Sequence, residues 1–335
     1  MTKSANGRFR WAVLGPGMVA TRAVMPAIAS STNGVLAVVA SRDRARAEAA
    51  SRPYGGVRCY GEYAAALADP AVDGIYLALP NHLHAEWTIR AAEAGKHVLC
   101  EKPLALTAAE AAQMVAACRQ AGVLLMEAVM ARFHPRNRHL AVLVGAGAIG
   151  ALRGLEAAFT FPLQTPETYR LVPEYGGGAL LDVGCYGVHF ARWLLGGEPV
   201  AVAAFARQAA IDWATTALLQ FPAGQVAQLV AAFDAAEHQR LTLLGSEGTL
   251  VLERPFTAWR DEETTILLRS PRGRETLAFP PTDPYRLMVE QFVAAARGEE
   301  PPLLPAEDGL HTARVLEAIR VAATQSRVVA LGAGE

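Results

Sequence analysis

Ten residues near the start, Trp11 to Ala20 (WAVLGPGMVA), constrain the fold more than any other stretch of the chain. An apolar strand-like run leads into Gly15 and Gly17 and then directly into a helical pattern, with Ala20 in the third small-residue position of a GxGxxA spacing. Gly15 permits the tight turn, Gly17 lets the backbone approach a pyrophosphate, and Ala20 lets a helix close onto a sheet. The helix opening at Met18 and Val19 offers amide donors and a positive dipole end to phosphates. A glycine turn of this kind also arises by chance, but the strand before it and the helix after it make this one a dinucleotide loop.

The same alternation continues through the first third of the chain. Strands are expected at Arg10 to Leu14, Leu36 to Ala40, Gly74 to Leu79, His97 to Cys100 and Val123 to Met126, and helices at Val19 to Ala29, Arg44 to Ala50, Leu83 to Ala94 and Ala108 to Ala121. Right-handed crossovers turn such a series into a doubly wound parallel sheet, with a ligand crevice at the carboxyl ends of its strands. Beyond Glu127 the texture changes. A helix near Arg136 to Leu143 is followed by strand-like runs at Leu155 to Phe161, Val200 to Arg207, Ala214 to Phe221, Val226 to Phe233, Gln239 to Leu244 and Thr249 to Leu252, with turns such as PAGQ and GSEG between several of them. Two more helices are expected within Tyr285 to Thr324, broken at GEEPPLLPAEDG.

The pattern is therefore α/β: a Rossmann domain over residues 1–126 and an α+β domain with a large, mostly antiparallel sheet over 127–335. A length of 335 residues suits two cores better than one. So large a sheet with few helices to cover it leaves a face for a second copy, so a homo-oligomer, most simply a dimer, is expected.

A formal net charge of -1 gives no basic footprint for nucleic acid and no polybasic patch for a membrane. Cys59, Cys100, Cys118 and Cys185 lack the paired spacing of a zinc site and read as reduced thiols, so no metal is expected. The start, MTKSANGRFRWAVLG, has no signal-peptide layout, and a cytoplasmic protein acting on a small molecule is the expectation.

At the end of the second strand, where an NAD enzyme usually places an acid for the ribose hydroxyls, the chain reads Ser41, Arg42, Asp43. A guanidinium there suits the 2'-phosphate of NADP. Asp43 keeps NAD open, and a plain helix cap would use the same residues.

Leu77 to Thr107, LALPNHLHAEWTIRAAEAGKHVLCEKPLALT, resembles the most recognisable stretch of the glucose-fructose oxidoreductase, inositol dehydrogenase and MocA family. The resemblance implies that Leu79, Pro80 and Asn81 line the nucleotide, with His84 beside them, and that Lys102, between Glu101 and Pro103 at a strand end, reaches the nicotinamide and the reacting hydroxyl. A second block, Gly176 to Gly197 (GGGALLDVGCYGVHFARWLLGG), resembles the family again. If helical from Leu180, it sets Asp182, Tyr186 and His189 along one face, with Leu181, Cys185 and Val188 on another. Many members have histidine where this chain has Tyr186. Tyrosine marks the branch of aldose dehydrogenases and dimeric dihydrodiol dehydrogenase, which LMEAVMARFHP (Leu125 to Pro135) also resembles, placing Arg132 near the cofactor.

The resemblance implies reversible hydride transfer at a carbinol carbon, with Tyr186 exchanging the hydroxyl proton. A phenol's pKa of about 10 is too high for a base at neutrality, so the Lys102 ammonium would favour its ionised form. Asp182 would orient substrate or Lys102, and His189 would touch substrate. An aldose oxidised at its anomeric carbon by NADP is the expected reaction. A trans-dihydrodiol dehydrogenase, a sugar-ketone reductase and a non-catalytic cofactor-binding regulator are the alternatives.

Overall fold

The computed structural model describes residues 7–165, 168–258 and 260–332; the polar start, Met1 to Asn6, lies outside them. The chain divides into two compact units, Met1–Met130 with Asp283–Leu310, and Ala131–Thr282 with His311–Glu335.

The first unit holds a six-stranded parallel sheet of β1 (Phe9–Leu14), β2 (Gly34–Ala40), β3 (Arg58–Tyr60), β4 (Gly74–Leu77), β5 (His97–Glu101) and β6 (Leu125–Ala128), in the order β3-β2-β1-β4-β5-β6. Strand order reverses beside β1, so the ends of β1 and β4 flank the crevice that doubly wound sheets use for ligands. Trp11 to Leu14 are wholly buried, as expected of a strand covered on both faces. The covering helices are α1 (Met25–Ser30), α2 (Arg44–Ser51), α3 (Tyr63–Ala68), α4 (His84–Glu93) and α5 (Ala108–Ala121). A π-helical turn, Ala20–Val24, leads into α1.

The sequence placed everything after residue 126 in one domain, but Asp283–Leu310 belongs to the first unit. The physical reason lies in α8 (Pro284–Ala296), which Asp283 caps by accepting from the amides of Tyr285 and Arg286 at 3.0 and 3.2 Å. Its Phe292 packs on Trp11 and Phe9 with ring centroids 4.9 and 6.1 Å apart. Glu290 accepts from the Thr32 amide at 2.9 Å, so the segment is held by polar and apolar contacts alike.

The second unit is built on nine strands: β7 (Leu152–Thr160), β8 (Ala201–Gln208), β9 (Asp212–Gln220), β10 (Val226–Ala232), β11 (His238–Gly245), β12 (Thr249–Glu253), β13 (Thr264–Ser270), β14 (Gly273–Phe279) and β15 (Val329–Ala330). They run in the order β14-β13-β12-β11-β7-β10-β9-β8-β15, and only the β7–β10 pair is parallel. Leu155, Ala157, Phe159, Leu229, Ala231, Leu241 and Leu243 point to the buried face, where α7 (Cys185–Leu195) lies. The alternate residues, including Glu156, Gln228, Arg240 and Thr242, together with the exposed Phe205 and Leu218, form the outward face. Two further helices, α6 (Pro135–Gly145) and α9 (Ala306–Gln325), complete the chain, the unit boundary falling within α9. Among the described residues no helix is long and apolar enough to cross a membrane.

Candidate active site

In the first unit the glycine loop follows β1. Gly15 has φ +84°, and a Cβ there would lie 2.7 Å from both the Ala78 carbonyl oxygen and Leu79 Cδ2, so only glycine fits beside the loop after β4. Gly17 differs. A Cβ added there would meet nothing within 4 Å. The protein's own packing therefore does not ask for glycine at position 17, and the room beside it fits a pyrophosphate drawn close to the backbone. The helical turn opens at Met18, which is exposed, and the first amides of a helix have no partner within it. Ala20 is fully buried and Val19 partly so, as tight helix-to-sheet packing requires.

At the end of β2, Ser41 is buried and donates its amide to the Tyr60 carbonyl at 3.1 Å. Asp43 caps α2, accepting from the Ala45 amide at 2.9 Å, which commits that carboxylate to the helix. Arg42 is exposed, and its charge reaches His82, whose pKa is lowered by burial first and by Arg42 second. The loops after β2 and β4 thus converge around an outward-facing cation.

Leu79 and Asn81 are buried around the partly exposed Pro80. His84, expected beside the nucleotide, is fully buried, and its ring nitrogens lie 2.9 Å from the Pro103 and Leu79 carbonyl oxygens. That geometry corrects its role: it ties the Leu79 loop to the Lys102 turn and has no surface to offer a ligand. Burial lowers its pKa, against the pull of both carbonyls.

Lys102 follows β5, partly exposed, and its peptide to Pro103 is cis. Glu101 accepts from the Tyr76 hydroxyl, and from the Lys102 amide at 3.2 Å. Burial raises its pKa, with Tyr76 and Lys102 opposing. Glu127 accepts the Leu104 amide at 2.9 Å and anchors the far side of the turn. Tyr285, from the returning segment, was not singled out by any sequence pattern. Burial raises its pKa, Glu101 adds to the rise and Lys102 opposes it, so its phenol stands in the field of the Lys102 turn.

In the second unit the helix carrying Asp182 and Tyr186 opens with another π-helical turn, Leu180–Gly184. Every residue from Ala179 to Arg192 is buried, so the stripe of Asp182, Tyr186 and His189 lies inside the unit and not on a solvated face. Tyr186 is 6% exposed and packs against Phe159 and Phe256 at 5.8 and 5.6 Å. Asp182 accepts from Arg170 Nε at 2.6 Å. Burial works against the Arg170 charge, but Asp182, Tyr169 and Tyr186 outweigh it and raise the guanidinium's pKa. Arg170 sits in a single 3-10 turn, Tyr169–Leu171, separate from the helix of Asp182, so no spacing within one helix or strand could have linked the two. His189 is buried, with Nδ1 3.4 Å from the Thr312 hydroxyl, to which Arg192 donates at 2.8 Å. Arg132, expected among the cofactor residues, is buried in this unit with its guanidinium 4.0 Å from the centre of the Trp193 ring, a packing position.

A dinucleotide loop at the switch point of a parallel sheet defines a dinucleotide-binding protein, and residues 9–129 match the oxidoreductase family with an NAD-binding Rossmann fold. Residues 137–251 match the GFO/IDH/MocA C-terminal domain; the chain belongs to the GFO/IDH/MocA family and is an NAD(P)-dependent oxidoreductase. It is 36% identical to a D-xylose 1-dehydrogenase (NADP(+)) of Haloferax volcanii over 95% of this chain and 98% of that protein. The crystal structure of a 3-ketoreductase from Actinomadura kijaniata, in complex with NADP and TDP-benzene, superposes with a TM-score of 0.89 at 33% identity, covering 94% of this chain and 98% of that one. An aldose-aldose oxidoreductase from Caulobacter crescentus, complexed with glycerol, gives 0.87 at 31% identity over 97% and 100%.

Proposed function

We propose that this enzyme transfers a hydride between NADP and a carbinol carbon of a sugar or related polyol, most simply oxidising an aldose at C1. The observation that carries the reading is Tyr186, a phenol in an apolar pocket of aromatic rings, four residues after a carboxylate held in an ion pair. Such a group suits proton exchange with a hydroxyl. When bound, the nicotinamide supplies the hydride acceptor or donor.

In the oxidative direction the substrate hydroxyl gives its proton to the Tyr186 phenolate, while the carbinol C–H bond leaves as hydride and the carbon–oxygen bond becomes a carbonyl. Lys102 binds the substrate oxygen and favours the phenolate. Asp182 orients the substrate, and His189 supports the pocket from within. Gly15, Gly17, Met18, Val19 and Ala20 hold the pyrophosphate, Leu79, Pro80 and Asn81 line the nucleotide, and Arg42 pairs with the 2'-phosphate. Support for NADP comes from the cap role of Asp43, which leaves Arg42 as the outward charge at the end of β2. NAD would lack that ion pair. A dimer formed through the outward face of the nine-stranded sheet, where Phe205 and Leu218 are exposed, completes the proposal.

Nicotinamide absorbance over a panel of aldoses, polyols, trans-dihydrodiols and sugar ketones tests the substrate class. Tyr186→Phe keeps the ring and deletes the exchangeable proton, so turnover should fall about 100- to 10,000-fold with folding and NADP binding intact. Oxidation of a dihydrodiol with no aldose turnover would replace the sugar reading, and near-normal Tyr186→Phe turnover would remove Tyr186 as the acid/base.

A further inference from the structure

We propose that Arg170 is a positioning residue for proton transfer at Tyr186: it fixes the Asp182 carboxylate on the π-helical turn that leads into the helix carrying Tyr186, and together the two charges set how readily the phenol releases its proton. The proposal rests on the acid/base assignment of Tyr186 made above.

Arg170 and Asp182 form their 2.6 Å bond largely out of water, with side chains 22% and 7% exposed. The guanidinium also lies over the Tyr169 ring, 5.0 Å from its centre. The turn bearing Arg170 is locked to the helix start, since the Gly178 amide donates to the Arg170 carbonyl and the Gly177 amide to the Val172 carbonyl, each at 3.0 Å. A Cβ on Gly177 would stand 2.6 and 2.8 Å from those two carbonyl oxygens. From the other side, Asp212 accepts from the Leu180 amide at 2.7 Å and from the Thr215 hydroxyl at 2.9 Å. The ion pair is therefore held by backbone geometry on both flanks of the π-helical turn.

Around Tyr186 the packed rings, Phe159 and Phe256, carry no charge, so nearby charges act through a weakly screening medium. In the second unit the titratable and charged groups near it include Asp182 on the π-helical turn, His189 and the Glu198-paired Arg192 on its own helix, Tyr169 and Arg170 on the preceding turn, and Asp212 at the start of β9 with Arg320 facing it. Asp182 alone would repel a phenolate and hold the proton on Tyr186. Arg170 cancels that repulsion and keeps the carboxylate in one orientation.

The test is the pH profile of kcat/KM with cofactor saturating, together with the phenolate absorbance of the substrate-free protein, from which the Tyr186→Phe signal is subtracted. Arg170→Met unmasks Asp182, so the Tyr186 titration should move upward by about one pH unit or more. Asp182→Asn unmasks Arg170 and should move it downward. The double variant removes both charges and should bring it back toward the parent value, while Arg170→Lys should stay near it. A titration that does not move in Arg170→Met, even where the rate falls, makes Arg170 merely structural and overturns the proposal. If Arg170→Met fails to fold, Asp182→Asn and the double variant decide by the same criterion. Absorbance needs no turnover, so an inactive substrate panel leaves this result standing, whereas full activity in Tyr186→Phe would defeat the functional reading.

Discussion

Two helices in this chain open alike, each with a π-helical turn directly behind a glycine loop, at Ala20–Val24 and at Leu180–Gly184, yet their glycines answer to different neighbours. Behind the second, the glycines are demanded by the protein itself: Gly177 by the carbonyls of Arg170 and Val172, and Gly178 by φ +118° and the Asp212 carboxylate. Behind the first, Gly15 is demanded in the same way, but among the described residues nothing lies within 4 Å of where a Cβ on Gly17 would stand. A glycine that its own fold does not require marks space for something else. One loop is a closed clamp on an ion pair, and the other is an open cradle for a cofactor.

The largest effect should come from the closed loop. Gly178→Ala forces a strained φ and a clash with a carboxylate already committed to Leu180 and Thr215, and should cost roughly 2 to 4 kcal/mol in urea unfolding. A loss below about 0.5 kcal/mol would show that the clamp yields, and the contrast with the cradle would collapse.

A third helix start extends the comparison to a cap that titrates. His134 caps α6 by accepting from the Arg136 amide through Nδ1 at 3.1 Å, which needs a neutral ring, and burial, with Arg136 behind it, lowers its pKa from 6.5 to about 4. The unfolded chain takes up that proton near its ordinary pKa while the folded one resists to about 4. The stabilisation is complete above about pH 6.5 and is lost as pH falls toward 4, to the extent of about 3 kcal/mol. His134→Asn keeps a capping oxygen without the titration, so its stability should depend less steeply on pH over that window. Parallel profiles for the two proteins would refute the titrating cap.

Next in size is Arg42→Ala. Losing a charge-assisted bond of about 1.5 to 3 kcal/mol should weaken NADP roughly 10- to 100-fold and leave NAD nearly unchanged. Equal losses for both cofactors, by fluorescence titration, would remove Arg42 from the 2'-phosphate. Gly17→Ala should then give the smallest change and the sharpest contrast: folding within about 0.5 kcal/mol of the parent, with NADP affinity down at least about tenfold. Unchanged affinity would mean that the open cradle is not where the pyrophosphate lies.

Periodicity carried most of the strands because burial imposes it. The runs at β1, β2, β5 and β7 to β12 stand within two or three residues of where their apolar alternation put them. What it missed was short, exposed or charged: the three-residue β3, the six-residue α3, and the hairpin of β13 and β14, whose second strand is largely exposed. The glycine loop was legible because its spacing is local. Arg170 was not, since it lies on a separate one-turn 3-10 helix twelve residues before Asp182. His84 misled for the reason that a buried polar side chain and a ligand-facing one look the same in a sequence; only the carbonyls around it separate the two.

The return of Asp283–Leu310 to the first unit also dictates an order of events during synthesis. Phe9 and Trp11 leave the ribosome nearly three hundred residues before Phe292, which covers them. Until then the nascent cofactor unit carries a bare aromatic patch, the kind of surface that recruits chaperones or aggregates. The second unit waits longer still, because Thr312 and the buried Ile319 and Ala322 of α9 come after the returning segment. Neither half can be finished until most of the other has been made.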